Sequence, residues 1–239
     1  MISEGSNDLF LTGDAHQRIY RHKATLGACG INIRGRSRRL RVNYRTTERI
    51  RNFAVALLEG VAVDDLDDGL DSMKGYRSLR EGTDPVVKHF PNQAKEADFI
   101  IGQVGAWIEK GHPTREICIA ARTHDLLDTI YEPTLTKAGI PHVTVKTDAE
   151  ADLGDGVRLS TMHRMKGLEF PCVLLVAVND GILPMRRPDE SIVDTASQED
   201  FEQVERCLVH VAATRARDDL VVTSFGTASP WIRRSAQAS

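Results

Sequence analysis

Four short stretches of the chain bring together side chains suited to anions and to planar bases. In Gly13-Asp14-Ala15-His16-Gln17-Arg18-Ile19-Tyr20, a glycine turn is followed by an acid and an amide, groups that orient a water or meet a phosphate oxygen. An ordinary strand-to-loop turn with a polar rim reads the same way. Leu40-Arg41-Val42-Asn43-Tyr44-Arg45-Thr46 sets an aromatic face beside a guanidinium at a helix start, so a base can stack while the arginine holds a phosphate. A core tyrosine beside a solvated arginine is the plainer alternative. Thr161-Met162-His163-Arg164-Met165-Lys166-Gly167-Leu168-Glu169-Phe170 crowds hydroxyl, imidazole, ammonium and carboxylate into one connection, with backbone N–H groups at a glycine that suit an anion. Arg215 comes four residues after Val211 and shares the buried side of an amphipathic helix, where a guanidinium needs an anionic partner. Asp218, Asp219 or another structural carboxylate would meet that need within the chain.

The elements that must position these residues follow from apolar spacing. After a strand LFLT and the first stretch, Thr46 is the expected N-cap of a helix carrying Ile50, Phe53, Ala54, Leu57 and Leu58, which stops before Gly60. From Val86 the pattern alternates. A strand VVKHF leads to a helix with Ala97, Ile100, Ile101, Val104 and Ile108 on one face, then to the strand ICIAA, a βαβ unit. A helix with Leu126, Leu127, Ile130 and Tyr131, kinked or ended by Pro133, precedes the strand HVTV. Strands VRLST and CVLLVAV follow, then a helix with Phe201, Val204, Leu208 and Val211 inward, and the strand LVVTSF. Strands this apolar have no wet face, so the fold class is α/β with a mostly parallel sheet flanked by helices. Its chemistry is expected in the loops beyond the strand C-termini.

Composition narrows the classes. With 41% hydrophobic and 27% charged residues, 239 residues suffice for a substantial core, and the formal charge of -3 excludes a polycation. The charge is nevertheless uneven: Arg18 to Arg51 holds 11 Lys or Arg against Glu48 alone, whereas Glu59 to Asp71 holds six acids and no base. The second stretch reads as an acidic linker or surface loop. No apolar run has the roughly 18 to 20 residues of a membrane helix and no signal peptide is evident, so a cytoplasmic location is expected. Cys29, Cys118, Cys172 and Cys207 form no CxxC pair, which argues against a zinc site or a disulfide framework and for reduced, mostly buried thiols. No metal-ligating residue is expected.

In this order, the four stretches resemble the C-terminal part of the motor of superfamily 1 DNA helicases of the UvrD/Rep type. GDxxQxIY matches Gly13 to Tyr20, NYR followed by Ser or Thr matches Asn43 to Thr46, TxHxxKGLEF matches Thr161 to Phe170, and YVAxTRA matches His210 to Ala216 with one change. The resemblance implies a second RecA-like (P-loop NTPase-type) domain over 85–226, a C-terminal remnant of a first RecA-like domain over 1–60, an acidic linker over 61–84 and a tail over 227–239. It also implies roles. Arg215 corresponds to an arginine finger, Gln17 and Arg45 to sensors of the γ-phosphate, Tyr44 to a residue stacked on adenine, and Gly167 and Glu169 to positions near the ribose and phosphates. Thr161 and His163 correspond to positions at the DNA backbone.

The implied activity is ATP-dependent unwinding of DNA with 3′ to 5′ movement along single-stranded DNA, in repair or replication. Departures from the pattern qualify it. No GxxxxGK[ST] loop is present in this sequence, so the Mg²⁺ ligands and the phosphate-cradling lysine are expected on an N-terminal motor domain that would be the partner, and the isolated chain is expected not to hydrolyse ATP. His22 and Lys23 stand where relatives often have an aromatic and an arginine for DNA, and His210 stands for a tyrosine. A non-catalytic module binding single-stranded nucleic acid or a protein partner is the alternative function.

Overall fold

Ile117–Ala121 and Val157–Thr161 are buried along their whole length, as strands covered on both faces must be. They lie inside a six-stranded sheet in a computed structural model that describes residues 10–20, 26–27, 29–31, 37–61, 75–146, 154–186 and 195–235. In chain order, a short parallel pair comes first, β1 (Val42–Asn43) with β2 (Arg77–Ser78). The large sheet comprises β3 (Val86–Phe90), β4 (Ile117–Ala121), β5 (His142–Thr144), β6 (Val157–Thr161), β7 (Phe170–Leu175) and β8 (Ala216–Phe225). Its spatial order is β3-β8-β7-β4-β6-β5 and every neighbouring pair is parallel.

Helices cover both faces. One face packs α1 (Glu48–Ala56), α5 (Thr195–Ala213) and α6 (Pro230–Ser235) through Ile50, Ala54, Leu208, Val211, Ala212 and Trp231 onto Val173, Leu175, Leu220 and Val222. The other packs α2 (Gln93–Glu109), α3 (His124–Leu126) and α4 (Glu132–Lys137). There Ile100, Val104, Trp107, Tyr131 and Leu135 meet Ile119, Leu159, Leu174 and Val221. No helix among the described residues is long and apolar enough to cross a membrane.

Several expectations are corrected. LFLT forms no strand over Phe10–Thr12, where Phe10 is 91% exposed and no neighbouring strand among the described residues offers ladder hydrogen bonds. The N-cap of α1 is Thr47, whose hydroxyl accepts from Ile50 N at 3.4 Å, because the Thr46 hydroxyl is engaged by Asn43. In α2 the inward residue near the C-terminus is Trp107, while Ile108 is exposed. Pro133 does not end its helix: a π-helical turn over Leu127–Tyr131 absorbs the missing hydrogen bond and α4 continues to Lys137. α6 was not anticipated. Nor was β2, which lies within the stretch read as a linker; the acidic run over 62–71 itself falls outside the described residues, as do His22 and Lys23.

Gly82 is where that stretch meets α1. Its φ of +75° is the left-handed region, and a Cβ there would stand 2.3 Å from the Thr47 Cβ. Only glycine fits so close to the cap.

Candidate functional site

The Gly13–Tyr20 stretch is a 3-10 turn, Ala15–Gln17, capped by Asp14, whose Oδ1 accepts from His16 N at 2.9 Å. The Gln17 side-chain amide donates to Asp14 Oδ2 at 2.9 Å. Partial burial would push the Asp14 carboxyl up, but these hydrogen bonds from His16 and Gln17 outweigh it and hold the group down at about 2. Ile19 anchors the turn in the core under α1 and α5.

The NYRT sequence folds on its own side chains. Asn43 Nδ2 donates to Thr46 Oγ1 at 2.7 Å while its Oδ1 accepts from Arg45 N at 2.8 Å. This Asx-type turn needs an amide at 43 and a hydroxyl at 46, and it leaves Tyr44 and Arg45 facing outward. Tyr44 is 73% exposed, and Arg45 Nε lies 2.6 Å from Glu169 Oε2.

The third stretch turns at the end of β6. Met162 and Met165 anchor it in the core, and buried Thr161 stabilises the turn by accepting from Arg164 N at 3.4 Å through its hydroxyl. Gly167, at φ +92°, reverses the chain toward β7. Lys166 Nζ donates to the Gln17 carbonyl at 3.1 Å and lies 5.4 Å from the centre of the Tyr20 ring, which in turn is 6.3 Å from the His163 ring. His163 is half-buried; burial, and then the nearby Arg122 charge, lower its pKa against the opposing pull of Glu205.

Arg215 occupies the last turn beyond α5 and is 3% exposed. Its Nε donates to the Val211 carbonyl at 3.2 Å and its Nη2 to Thr214 Oγ1 at 3.3 Å. No carboxylate lies within 4.0 Å of it among the described residues. The partners that sequence offered are taken: Asp218 pairs with Arg80, and Asp219 accepts from Trp107 Nε1 at 3.2 Å and Thr83 Oγ1 at 3.2 Å. Burial, and then the Arg45 charge, lower the Arg215 pKa to about 10 against Glu169 and Asp14, which pull it up. It stays a cation at neutral pH. These mutual influences gather Arg45, Glu169, Asp14 and Arg215 into one electrostatic neighbourhood drawn from four distant stretches.

This neighbourhood corrects one expectation. Thr161 does end β6, but Glu169 precedes β7 and Arg215 precedes β8, with Phe170 N donating to the Arg215 carbonyl at 3.0 Å. Part of the cluster therefore sits at strand N-terminal ends, because the connection from Thr161 to Phe170 runs back along the sheet.

The UvrD-like helicase C-terminal domain family matches residues 38–149 and 146–227 of the chain. The chain belongs to that family. It is 42% identical over 74 residues to the ATP-dependent DNA helicase PcrA of Staphylococcus aureus, a match covering 31% of this chain and 10% of that protein. PcrA of Staphylococcus epidermidis is 40% identical over 78 residues, 33% of this chain and 10% of its own length. The match thus spans about a tenth of these relatives. The C-terminal domain of a possible DNA helicase from Lactobacillus plantarum WCFS1 shares the fold, with a TM-score of 0.57 and 22% identity over 82% of this chain and 96% of that one.

Within this UvrD-like domain, the departure at His210 has a local explanation. Its Nδ1 donates to the Ala54 carbonyl at 2.8 Å, fastening α5 to α1, and its ring lies 6.1 Å from His16. Burial, with the charges of His16 and Arg215, lowers its pKa to about 4 against the opposing pull of the Ala54 hydrogen bond and Asp14. Lys166 and the pair Arg122–Glu205 were not assigned from sequence. Arg122 donates to Glu205 through Nε at 3.0 Å and Nη2 at 2.6 Å. Its position directly after the fully apolar strand ICIAA was the available signal.

Proposed function

We propose that the chain is the C-terminal motor portion of an ATP-dependent DNA helicase that moves 3′ to 5′ on single-stranded DNA, with DNA repair or replication as its setting. The observation that carries this reading is the 3%-exposed Arg215 guanidinium, which has no carboxylate ion-pair partner among the described residues and lies in the field of Arg45. Two clustered guanidinium groups suit a triphosphate better than they suit each other. Arg215 acts as the arginine finger, Gln17 and Arg45 sense the γ-phosphate, Tyr44 stacks on adenine, and Gly167 and Glu169 border the ribose and phosphates. Thr161 and His163, with His22 and Lys23, serve the DNA backbone.

ATP supplies the transferable phosphoryl group and Mg²⁺ its charge neutralisation, both held largely by an N-terminal P-loop domain that this sequence does not contain. The division proposed is a first-domain remnant over 1–60, a linker over 61–84, the second RecA-like domain over 85–226 and a tail over 227–239. The chain alone is expected to hydrolyse no ATP. Mixing it with a separately produced P-loop domain of the same helicase type should restore ATPase activity stimulated by single-stranded DNA. Salt-sensitive DNA binding with no ATPase in that mixture would instead favour a non-catalytic binding module.

A further inference from the structure

On the α2 face of the sheet, three metal-ligating side chains of different types converge from three elements. His112 follows the C-terminus of α2, Cys172 lies on β7 and Asp219 on β8, and one donor atom from each falls within 4.8 Å of the other two. The strand register explains the meeting. Cys172 and Asp219 are paired across the ladder, and the register shifts between Phe170 and Cys172. Phe170 points into the α5-side core, whereas Cys172 points into the α2-side core. Two residues apart on a regular strand they would share a face, so the irregularity at Pro171 turns the thiol toward Asp219 and His112.

The surroundings are prepared for a cation. Asp219 is oriented by hydrogen bonds from Trp107 Nε1 and Thr83 Oγ1, each at 3.2 Å, the kind of support that fixes a metal-ligating carboxylate. Glu116 Oε2 lies 3.6 Å from His112 Nδ1 and brings a second carboxylate to the rim. Cys172 is fully buried, and its thiol has no hydrogen-bond partner among the described residues. The sequence contains no CxxC pair, but that spacing is irrelevant to a site assembled across a sheet.

We propose that His112, Cys172 and Asp219 bind a thiophilic divalent transition metal, Zn²⁺ by the chemistry of the set, with a solvent oxygen as fourth donor, and that the ion clasps α2 to β7 and β8. Mixed sulfur, imidazole and carboxylate donors around one point favour tetrahedral zinc over the hard, all-oxygen cations. Zinc bonds of about 2.0 to 2.3 Å place neighbouring donors roughly 3.5 Å apart, so closure requires side-chain shifts of about 1 Å. Binding releases the thiol proton to solvent and leaves a metal-bound thiolate; no redox step is involved.

Co²⁺ is the probe, added to the reduced 239-residue chain with absorption spectroscopy as the readout. The expected result is a sulfur-to-cobalt charge-transfer band that saturates at one equivalent and is displaced by Zn²⁺. Cys172→Ser should abolish the band, and Cys29→Ser, which removes an exposed thiol, should leave it. His112→Gln alters a partly exposed side chain, and should weaken affinity at least tenfold in a chain whose circular dichroism is unchanged. Thr83→Ala should weaken it by about tenfold or less through the freed Asp219. No band at stoichiometric Co²⁺, a band lost in Cys29→Ser, or undiminished affinity in His112→Gln would overturn the proposal. None of these outcomes depends on ATPase activity, so the helicase reading stands or falls separately.

Discussion

Two arginines beside α5, one buried and one partly buried, resolve the same electrostatic problem in opposite ways. Arg122 is neutralised in place: its guanidinium meets Glu205 bidentately, with the two side chains 12% and 2% exposed, and Glu205 also accepts from Met185 N at 3.2 Å. Arg215, more deeply shut from water, hydrogen-bonds only to a backbone carbonyl and a threonine hydroxyl among the described residues, and the Arg45 charge in its field opposes the pull of Glu169 and Asp14. A paired buried charge holds helix to sheet. An unpaired one retains its charge for an incoming anion, and the fold carries the cost of desolvating it. On the proposed function, the contrast separates an arginine that builds the domain from one that is kept for a ligand.

The largest effect expected from breaking this contrast is in rate. In a motor completed by its P-loop domain, Arg215→Ala should lower kcat by about 10³ to 10⁵ while the thermal midpoint of the chain moves little, measured by steady-state ATPase and calorimetry. Arg122→Ala should behave in the reverse sense, costing about 3 to 5 kcal/mol in denaturant unfolding because buried Glu205 is left without its counter-charge. Combining it with Glu205→Leu should recover part of that loss. If the two single variants had similar stability, the distinction between the arginines would collapse.

The histidine beside the Arg215 cluster sharpens the comparison through pH. His210 has a folded pKa of about 4 against 6.5 for the free side chain, so the unfolded chain binds the extra proton between those values. Its contribution is therefore full above about pH 6.5 and is lost as the pH falls toward 4, amounting to about 3 kcal/mol. Urea midpoints between pH 7 and pH 4 should show this slope in the natural chain and a shallower one in His210→Gln. The smallest effect expected is at the start of α1: Thr47→Ala should cost about 1 kcal/mol, and its thermal midpoint should fall below that of Thr46→Ser, which keeps the hydroxyl that Asn43 engages.

Much of the fold was legible from Val86 onward, because strands without a polar side must be covered on both faces and apolar residues at helical spacing supply the cover. Legibility failed where the partner of a segment is distant. LFLT has strand composition, yet over Phe10–Thr12 no strand lies beside it among the described residues, and Arg77–Ser78 is too short to show a period but pairs with Val42–Asn43. The helix over 124–137 contains a proline that local rules read as a kink or an end, and a π-turn before it lets the helix continue. For the candidate site, the four motif stretches were legible because each carries its own local turn chemistry, as Asn43 does with Thr46 and Arg45. That Arg45 would meet Glu169, or Lys166 the Gln17 carbonyl, was not, since those contacts join residues more than a hundred positions apart.

By itself the sequence determined which side chains are available and how their immediate backbone turns, because hydrogen bonds within a few residues and the period of apolar burial are local properties. Tertiary structure alone decided which charges remain unpaired and which donors converge. Asp218 and Asp219 are within four residues of Arg215 yet serve Arg80, Trp107 and Thr83, and His112 reaches Cys172 and Asp219 only because β7 shifts register beside β8. Electrostatic and coordination energies depend on distance through space, and chain spacing does not fix that distance once a sheet has been assembled.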